Sequence, residues 1–159
     1  MGMAYARNLI KAGFEVTGSD VVPERLDLLA GIGGIPAGSG AEVASRCEVV
    51  LTALPTVSSF DTALSGAEGI VAGSHPGLTL VEMRTFPLEI KDRGRKALSD
   101  DGAAMLDAPV SGTGLQAESA GIVIYARWRS RRYRQGSPLS SLRYPKPHPT
   151  SVNSAIARR

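Results

Sequence analysis

Two residues near the start of the chain, Gly2 and Asp20, have types and a spacing that could do binding chemistry. Gly2 opens a helix-like stretch that stops at Gly13, and a strand-like segment follows before Asp20, eighteen residues after Gly2. In such an arrangement the helix N-terminus binds the pyrophosphate of a dinucleotide and the acid accepts a hydrogen bond from a ribose hydroxyl. A carboxylate there repels a 2′-phosphate, so Asp20 favours NAD over NADP. The alternative is an Asp that caps the helix beginning at Pro23.

The elements that must position these residues alternate along positions 2–126. Short apolar runs take turns with amphipathic stretches, which is typical of repeated βα units. The pattern predicts strands at 14–18, 48–54, 78–83, 103–106 and 122–126. It predicts helices at 3–12 and 57–64, one that begins at Pro23, a short one that ends at Arg46, and one after Pro87. The near-continuous apolar run at 48–54 suits a parallel strand covered on both faces. The expected fold class is therefore α/β, an incomplete Rossmann-type, doubly wound and mostly parallel sheet.

The helical patterns also predict which side chains face the core. In the helix from Pro23 the apolar side chains available for burial are Leu26, Leu28 and Leu29. In the helix after Pro87 we expect Ile90 and Leu98 toward the core. The basic side chains of that helix are expected to face solvent, and they are Lys91, Arg93, Arg95 and Lys96.

The charge distribution divides the chain of 159 residues, whose overall net charge is +3. Residues 1–126 carry nine basic and fifteen acidic side chains, whereas 127–159 carry nine basic ones and no acid. The second segment is rich in Ser and Pro and poor in apolar residues, so we expect a disordered tail after a single domain. Its arginines with Trp128 and Tyr133 could contact nucleic acid. The alternative, a shifted reading frame near residue 126, is favoured, and nucleic acid is not an expected partner.

Cysteine content and hydropathy set further limits. The single cysteine, Cys47, excludes an intramolecular disulfide and a multi-cysteine metal cluster, and we expect it to be a small buried apolar side chain. No metal site is predicted. No run approaches the about 18 apolar residues that a membrane span needs, and no leader peptide is evident. The default compartment is the cytoplasm.

Four blocks, in order, carry a resemblance to a known family. They are Met1-Gly2 through Leu9 with Lys11-Ala12-Gly13, Val49 through Pro55, Val81-Glu82-Met83-Arg84-Thr85, and Leu106-Asp107-Ala108-Pro109-Val110-Ser111-Gly112. With these blocks residues 1–126 resemble the β-hydroxyacid dehydrogenase family, which includes the NADP-binding domain of 6-phosphogluconate dehydrogenase. The last block is the family's substrate-binding signature and the most diagnostic. The resemblance implies an NAD(P)-binding Rossmann domain and hydride transfer between the nicotinamide and a short hydroxy acid.

The resemblance also implies roles for individual residues. Met1 and Gly2 would belong to the pyrophosphate turn, and Asp20 would bind ribose. Leu54 and Pro55 would shape the cofactor crevice, while Thr85 would lie near the nicotinamide ribose. Ser111, Gly112 and Thr113 would hold the substrate carboxylate through hydroxyl and backbone donors, although Ser111-Gly112 could also be a plain turn after a strand. NAD is the expected cofactor, with NADP possible, and a small hydroxy acid is the expected partner.

The chain departs from the family pattern in four respects. Arg84 stands where the family has Ser, and Pro87 comes one residue early. The family also has a first strand before the position that matches Met1, so we expect a sheet without that strand. Its general-base lysine lies in a helical domain after the position of Ala126, and no lysine of this chain matches it. Loss of a general base typically removes a factor of about 10²–10⁴ in rate, so little turnover is expected and no catalytic residue is assigned. The particular hydroxy acid and the oligomeric state are left open.

Overall fold

The computed structural model describes residues 1–126, in which helices and strands alternate. The helices are α1 (Gly2–Lys11), α2 (Pro23–Gly31), α3 (Gly40–Arg46), α4 (Val57–Ser65), α5 (Leu88–Ser99) and α6 (Gly114–Glu118), with a 3₁₀ turn at Ile70–Gly73. The strands are β1 (Thr17–Gly18), β2 (Ile35–Pro36), β3 (Val49–Thr52), β4 (Thr79–Glu82), β5 (Ala104–Asp107), β6 (Val110–Ser111) and β7 (Val123–Ile124). The predicted basic tail at 127–159 lies outside the described residues.

The main sheet has three parallel strands in the order β3-β4-β5. Because strand side chains alternate between faces, Val50, Leu80 and Met105 form one row, and they pack against α3, α4 and α5. The opposite face, with Val81 and Leu106, packs against α1 and α6. Helices therefore cover both faces, and the predicted α/β class with a mostly parallel sheet is confirmed.

The strands β1 and β2 pair in parallel but stand apart from the main sheet. A groove of about 1830 Å³ is lined by both β1 and β3 and by residues of the helices around them. Within residues 1–126, neither β1 nor β3 has a strand partner on its second edge. A sheet without its first strand would have this form, and the lack of that strand stays a prediction.

Several boundaries differ from the sequence prediction. Strand β1 covers only two residues of the predicted 14–18, and the short elements β2, β6 and α6 were not predicted. Two-residue strands carry no alternation that a sequence pattern could reveal. Gly13, by contrast, ends α1 as predicted, with a positive φ of 88° and its N–H donated to the Ile10 carbonyl. No helix within the described 126 residues has the length and apolarity to cross a membrane.

Helix α2 buries a narrower stripe than predicted. Leu29 is 5% exposed, whereas Leu28 is 53% exposed and Leu26 is half-buried, so the expectation for Leu28 is wrong. Leu29 packs so closely on the following turn that a Cβ at Gly34 would lie 2.4 Å from its Cδ1. Leu26 and Leu29 are three residues apart and lie on one face of the nine-residue helix, whereas Leu28 is turned about 100° from Leu29 and faces solvent.

The two adjacent leucines give a matched test of this packing. Leu29→Ala removes buried methyl groups and is expected to lower the free energy of unfolding by about 2–5 kcal/mol. Leu28→Ala is expected to change it by less than about 0.5 kcal/mol, since the side chain is mostly in solvent. Urea unfolding followed by circular dichroism measures both, and equal losses for the two variants would contradict the packing.

Candidate functional site

The candidate site lies where the parallel strands end. Strand β1 runs into Ser19-Asp20, β3 into Ala53-Leu54-Pro55, and β4 into Met83-Arg84-Thr85. In an open α/β sheet, the crevice outside the carboxyl ends of the strands is where ligands bind. The polar and small residues that follow the strands are therefore gathered at one edge.

A cavity of about 270 Å³ opens at this edge, and we call it the Arg84 cavity. Its lining residues are Met1, Tyr5, Ala53, Met83, Arg84, Thr85, Val110 and Gly112. Of the residues predicted from sequence, it brings together Met1, Thr85 and Gly112. Ser111 and Thr113 do not line it, although both adjoin Gly112 in the chain.

The larger groove between β1 and β3 takes the other predicted residues. Gly2, Asp20, Leu54 and Pro55 all line it. Tyr5 and Ala53 line both the groove and the Arg84 cavity, so the two spaces are contiguous. Seven of the nine predicted site residues thus line one or other of two neighbouring spaces, and Ser111 and Thr113 line neither.

Asp20 has two partners, one in the turn before α2 and one in the first turn of that helix. One carboxylate oxygen accepts a hydrogen bond from the Val22 N–H at 3.0 Å, and the other lies 3.3 Å from an Arg25 guanidinium nitrogen. The N-cap of α2 is Val22 and makes no side-chain cap, so Asp20 stabilises the preceding turn rather than capping the helix itself. The Asp20 side chain is 32% exposed, which leaves it accessible from the groove.

The segment from Ser111 to Thr113 is fixed by local geometry. Gly112 has a φ of 142°, and a Cβ there would lie 2.9 Å from the Ile122 Cγ2, so the position requires glycine. Thr113 is the N-cap of α6, where its hydroxyl accepts a hydrogen bond from the Gln116 N–H at 3.3 Å. Its hydroxyl is therefore already engaged in a helix cap, a role that the sequence analysis did not predict.

A buried ionic cluster lies beneath the site, and we call Glu82, Lys91 and Asp107 the buried triad. Lys91 is 2% exposed and its ammonium lies 3.0 Å from Glu82 Oε2, with a second ion pair to Asp107. Glu82 and Asp107 are the last residues of β4 and β5 and stand side by side in the sheet register. The prediction that Lys91 faces solvent is wrong, because two carboxylates buried at the strand ends require a cation.

The buried triad holds the main chain of Arg84, the residue after which the cavity is named. Glu82 Oε1 accepts a hydrogen bond from the Arg84 N–H at 2.7 Å, and the Lys91 ammonium donates one to the Arg84 carbonyl at 2.7 Å. Both polar groups of the Arg84 main chain are thereby held from below. Glu82 and Asp107 each end a mostly apolar strand, and this pattern was the sequence signal for the cluster.

The electrostatics of the cluster are dominated by burial. Desolvation raises the pKa of Glu82 above its ordinary value, and the hydrogen bonds from Lys91 and from the Arg84 backbone oppose that shift. Burial also raises the pKa of the Tyr5 phenol, while the nearby Arg84 cation opposes it.

The arrangement suits a dinucleotide. Helix α1 is ten residues long, begins at Gly2 on the groove and has no acid in its first turn, so its positive end is available to phosphate oxygens. Asp20 offers carboxylate oxygens to ribose hydroxyls, and Arg25 beside it offers donors. Within the described residues no group of three or more His, Cys, Asp or Glu side chains is placed to hold a metal ion.

The fold and these strand-end residues define a dinucleotide-binding domain of the Rossmann class. Residues 1–138 match the family described as the NAD binding domain of 6-phosphogluconate dehydrogenase. The chain belongs to that family, and NAD or NADP is the cofactor that its domain binds.

Known relatives agree with this assignment. The chain is 40% identical over 119 residues to the L-threonate dehydrogenase of Cupriavidus necator, a match that covers 75% of this chain and 40% of the relative. The structure of Mycobacterium tuberculosis 3-hydroxyisobutyrate dehydrogenase with L-serine superposes with a TM-score of 0.72 at 27% identity, over 84% of this chain and 46% of that one. Psf3 in complex with NADP⁺ and 2-OPP shares the fold, with a TM-score of 0.76 at 21% identity over 84% of this chain and 47% of that chain. The chain thus spans less than half the length of these relatives.

Removal of the buried cation tests the triad. Lys91→Met leaves two adjacent buried carboxylates without a counter-ion, and we expect a loss of about 3–5 kcal/mol in the free energy of unfolding. Lys96→Met, on the exposed side of the same helix, is expected to change it by less than about 0.5 kcal/mol. Urea titrations at neutral pH compare the two, and a small loss in Lys91→Met would show that the cluster is not buried.

The raised pKa of Glu82 predicts a pH dependence of stability. The folded chain holds the Glu82 proton to a higher pH than the unfolded chain does, so the stability gained from the protonated form is lost as pH rises through the folded pKa. Relative to Glu82→Gln, the wild type should therefore lose stability as the pH rises from the ordinary range of a glutamate, at about 4, toward neutrality. Unfolding measured across that range checks the slope. Glu89→Gln, an exposed control on α5, should follow the wild type, and a wild-type slope of the opposite sign would contradict the assignment.

Proposed function

We propose that this chain is the cofactor-binding part of a hydroxy-acid dehydrogenase, which transfers hydride between a nicotinamide cofactor and a short hydroxy acid. One observation carries the proposal. The groove that contains Gly2 and Asp20 runs into the Arg84 cavity that contains Thr85 and Gly112, with Tyr5 shared between them. A dinucleotide with its adenosine ribose at Asp20 would extend along the strand ends toward that cavity.

The proposed cofactor contacts follow this path. Met1 and Gly2 bind the pyrophosphate through the N-terminal amides of α1, and Asp20 accepts hydrogen bonds from the adenosine ribose. Leu54-Pro55 forms the wall of the crevice after β3. Thr85 lies at the nicotinamide ribose. When bound, the nicotinamide supplies the hydride acceptor or donor.

The proposed substrate contacts lie at Gly112, which lines the Arg84 cavity, and at its neighbour Ser111. The Ser111 hydroxyl and the Gly112 N–H hold the carboxylate, since both the hydroxyl and the N–H of Thr113 are engaged with Gln116 in the α6 cap. The relatives support a short hydroxy acid, because two of them are dehydrogenases of L-threonate and 3-hydroxyisobutyrate. The choice among such acids is not part of the proposal.

Proton transfer is the step that this chain is proposed to lack. None of the lysines among residues 1–126 lines the Arg84 cavity, and Lys91 is sequestered between Glu82 and Asp107. No described lysine is thus placed to accept the substrate hydroxyl proton. The proposal is cofactor binding with little turnover by the chain of 159 residues.

The test of cofactor binding is a titration of NADH and NADPH into the full chain, followed by nicotinamide fluorescence. Asp20→Asn removes the charge that accepts the ribose hydrogen bond, and we expect the dissociation constant for NADH to rise about ten-fold. The preference for NADH over NADPH should narrow, because the carboxylate no longer repels a 2′-phosphate.

Asp27→Asn, an exposed acid on the same helix as Arg25, is the matched control and should bind NADH as the wild type does. Failure of the wild type to bind either nucleotide would refute the proposed function. The same samples, assayed for NADH formation from NAD⁺ and a 3-hydroxy acid, test the lack of turnover, and a rate typical of dehydrogenases would refute that part alone.

A further inference from the structure

The proposed cofactor contacts do not explain why a cation, Arg84, lines the Arg84 cavity. Among the side chains that line the cavity, Arg84 is the one with a charge, and the others are apolar or neutral. The Arg84 side chain makes no ion pair with any carboxylate in residues 1–126. Its guanidinium donates to the Pro55 carbonyl at 3.3 Å, which uses only part of its five N–H donors.

The position of this cation is set by the buried triad. The Arg84 main chain is held by Glu82 on its N–H and by Lys91 on its carbonyl, each at 2.7 Å. The contact with Pro55 restrains the far end of the side chain at the neighbouring strand end. An arginine held at both ends loses less conformational freedom when it binds a ligand, so the site is preorganised.

Arg84 shares the cavity with the turn at Gly112. Gly112 lines the same 270 Å³ space, and Gly112 and its neighbour Ser111 are the proposed carboxylate contacts. A carboxylate in this cavity could accept two parallel hydrogen bonds from the guanidinium fork, which is the geometry that arginine provides and serine does not. The cavity volume suits a small organic acid rather than a large ligand.

We propose that Arg84 binds the carboxylate of the substrate acid, so that the site selects small hydroxy-acid anions over neutral alcohols and esters. This inference rests on the proposed function and adds the residue that confers the charge selectivity. The same guanidinium chemistry would also suit a phosphate of the cofactor. The experiment therefore measures the acid and the cofactor separately.

The test uses the full chain and 3-hydroxypropanoate as the probe, with its methyl ester as the uncharged counterpart. Calorimetric titrations are made with and without NADH on the wild type, Arg84→Met, Arg84→Lys and Arg93→Met. Arg93 is an exposed arginine that pairs with Asp61 away from the cavity, so Arg93→Met is the matched control. Circular dichroism establishes that each variant is folded.

We expect Arg84→Met to raise the dissociation constant of 3-hydroxypropanoate at least about ten-fold, with an intermediate value for Arg84→Lys. The methyl ester should bind the wild type more weakly than the acid does. The wild type and Arg84→Met should bind the ester with equal affinity. The dissociation constant for NADH should change less than two-fold, and Arg93→Met should match the wild type throughout.

Where the wild type binds the acid, three results would overturn the inference. The first is that Arg84→Met binds the acid as well as the wild type does. The second is that Arg84→Met loses affinity for NADH and not for the acid. The third is that the wild type binds the acid no better than the ester. Failure of NADH to bind the wild type would refute the proposed function, whereas the titrations without NADH would still measure the contribution of Arg84. A wild type that binds NADH but not the acid would refute the inference alone.

Discussion

An ammonium group buried between two carboxylates holds the ends of the main strands and the segment above them in place. Burial of either carboxylate alone would be strongly unfavourable, and their adjacency in the sheet register makes a counter-ion necessary. Lys91 reaches them from α5, and its remaining donor binds the Arg84 carbonyl. A single side chain thereby connects α5, β4, β5 and the segment that follows β4.

This constraint explains why the site lies on a rigid base. The residues that close β3, β4 and β5, which are Thr52, Glu82 and Asp107, form one buried row on the face covered by α5. Above that row, the main chain at Arg84 has both of its polar groups satisfied. The cavity is therefore bounded at Arg84 by backbone that is fixed from within the core.

The relationship to hydroxy-acid dehydrogenases rests on the part of the fold that binds the cofactor. That part is shared over 84% of this chain with the 3-hydroxyisobutyrate dehydrogenase from Mycobacterium tuberculosis. The chain departs from the family pattern at Arg84, beside the cavity and not in the groove. At the other end of the proposed path, the Asp20 carboxylate pairs with the Arg25 guanidinium, and both residues line the groove.

The sequence by itself determined the fold class, the order of the longer elements and the residues that follow the strands. Those features depend on local periodicity and on short motifs, as in 48–54 and in the run that ends at Ser111-Gly112. The exposed Leu28, the buried Lys91 and the Thr113 cap were decided only by the tertiary structure. Each of them depends on what another segment places opposite, and the carboxylates that bury Lys91 lie nine residues before it and sixteen after it. A helical pattern ranks a lysine as solvent-facing because it contains no information about charges that arrive from neighbouring strands.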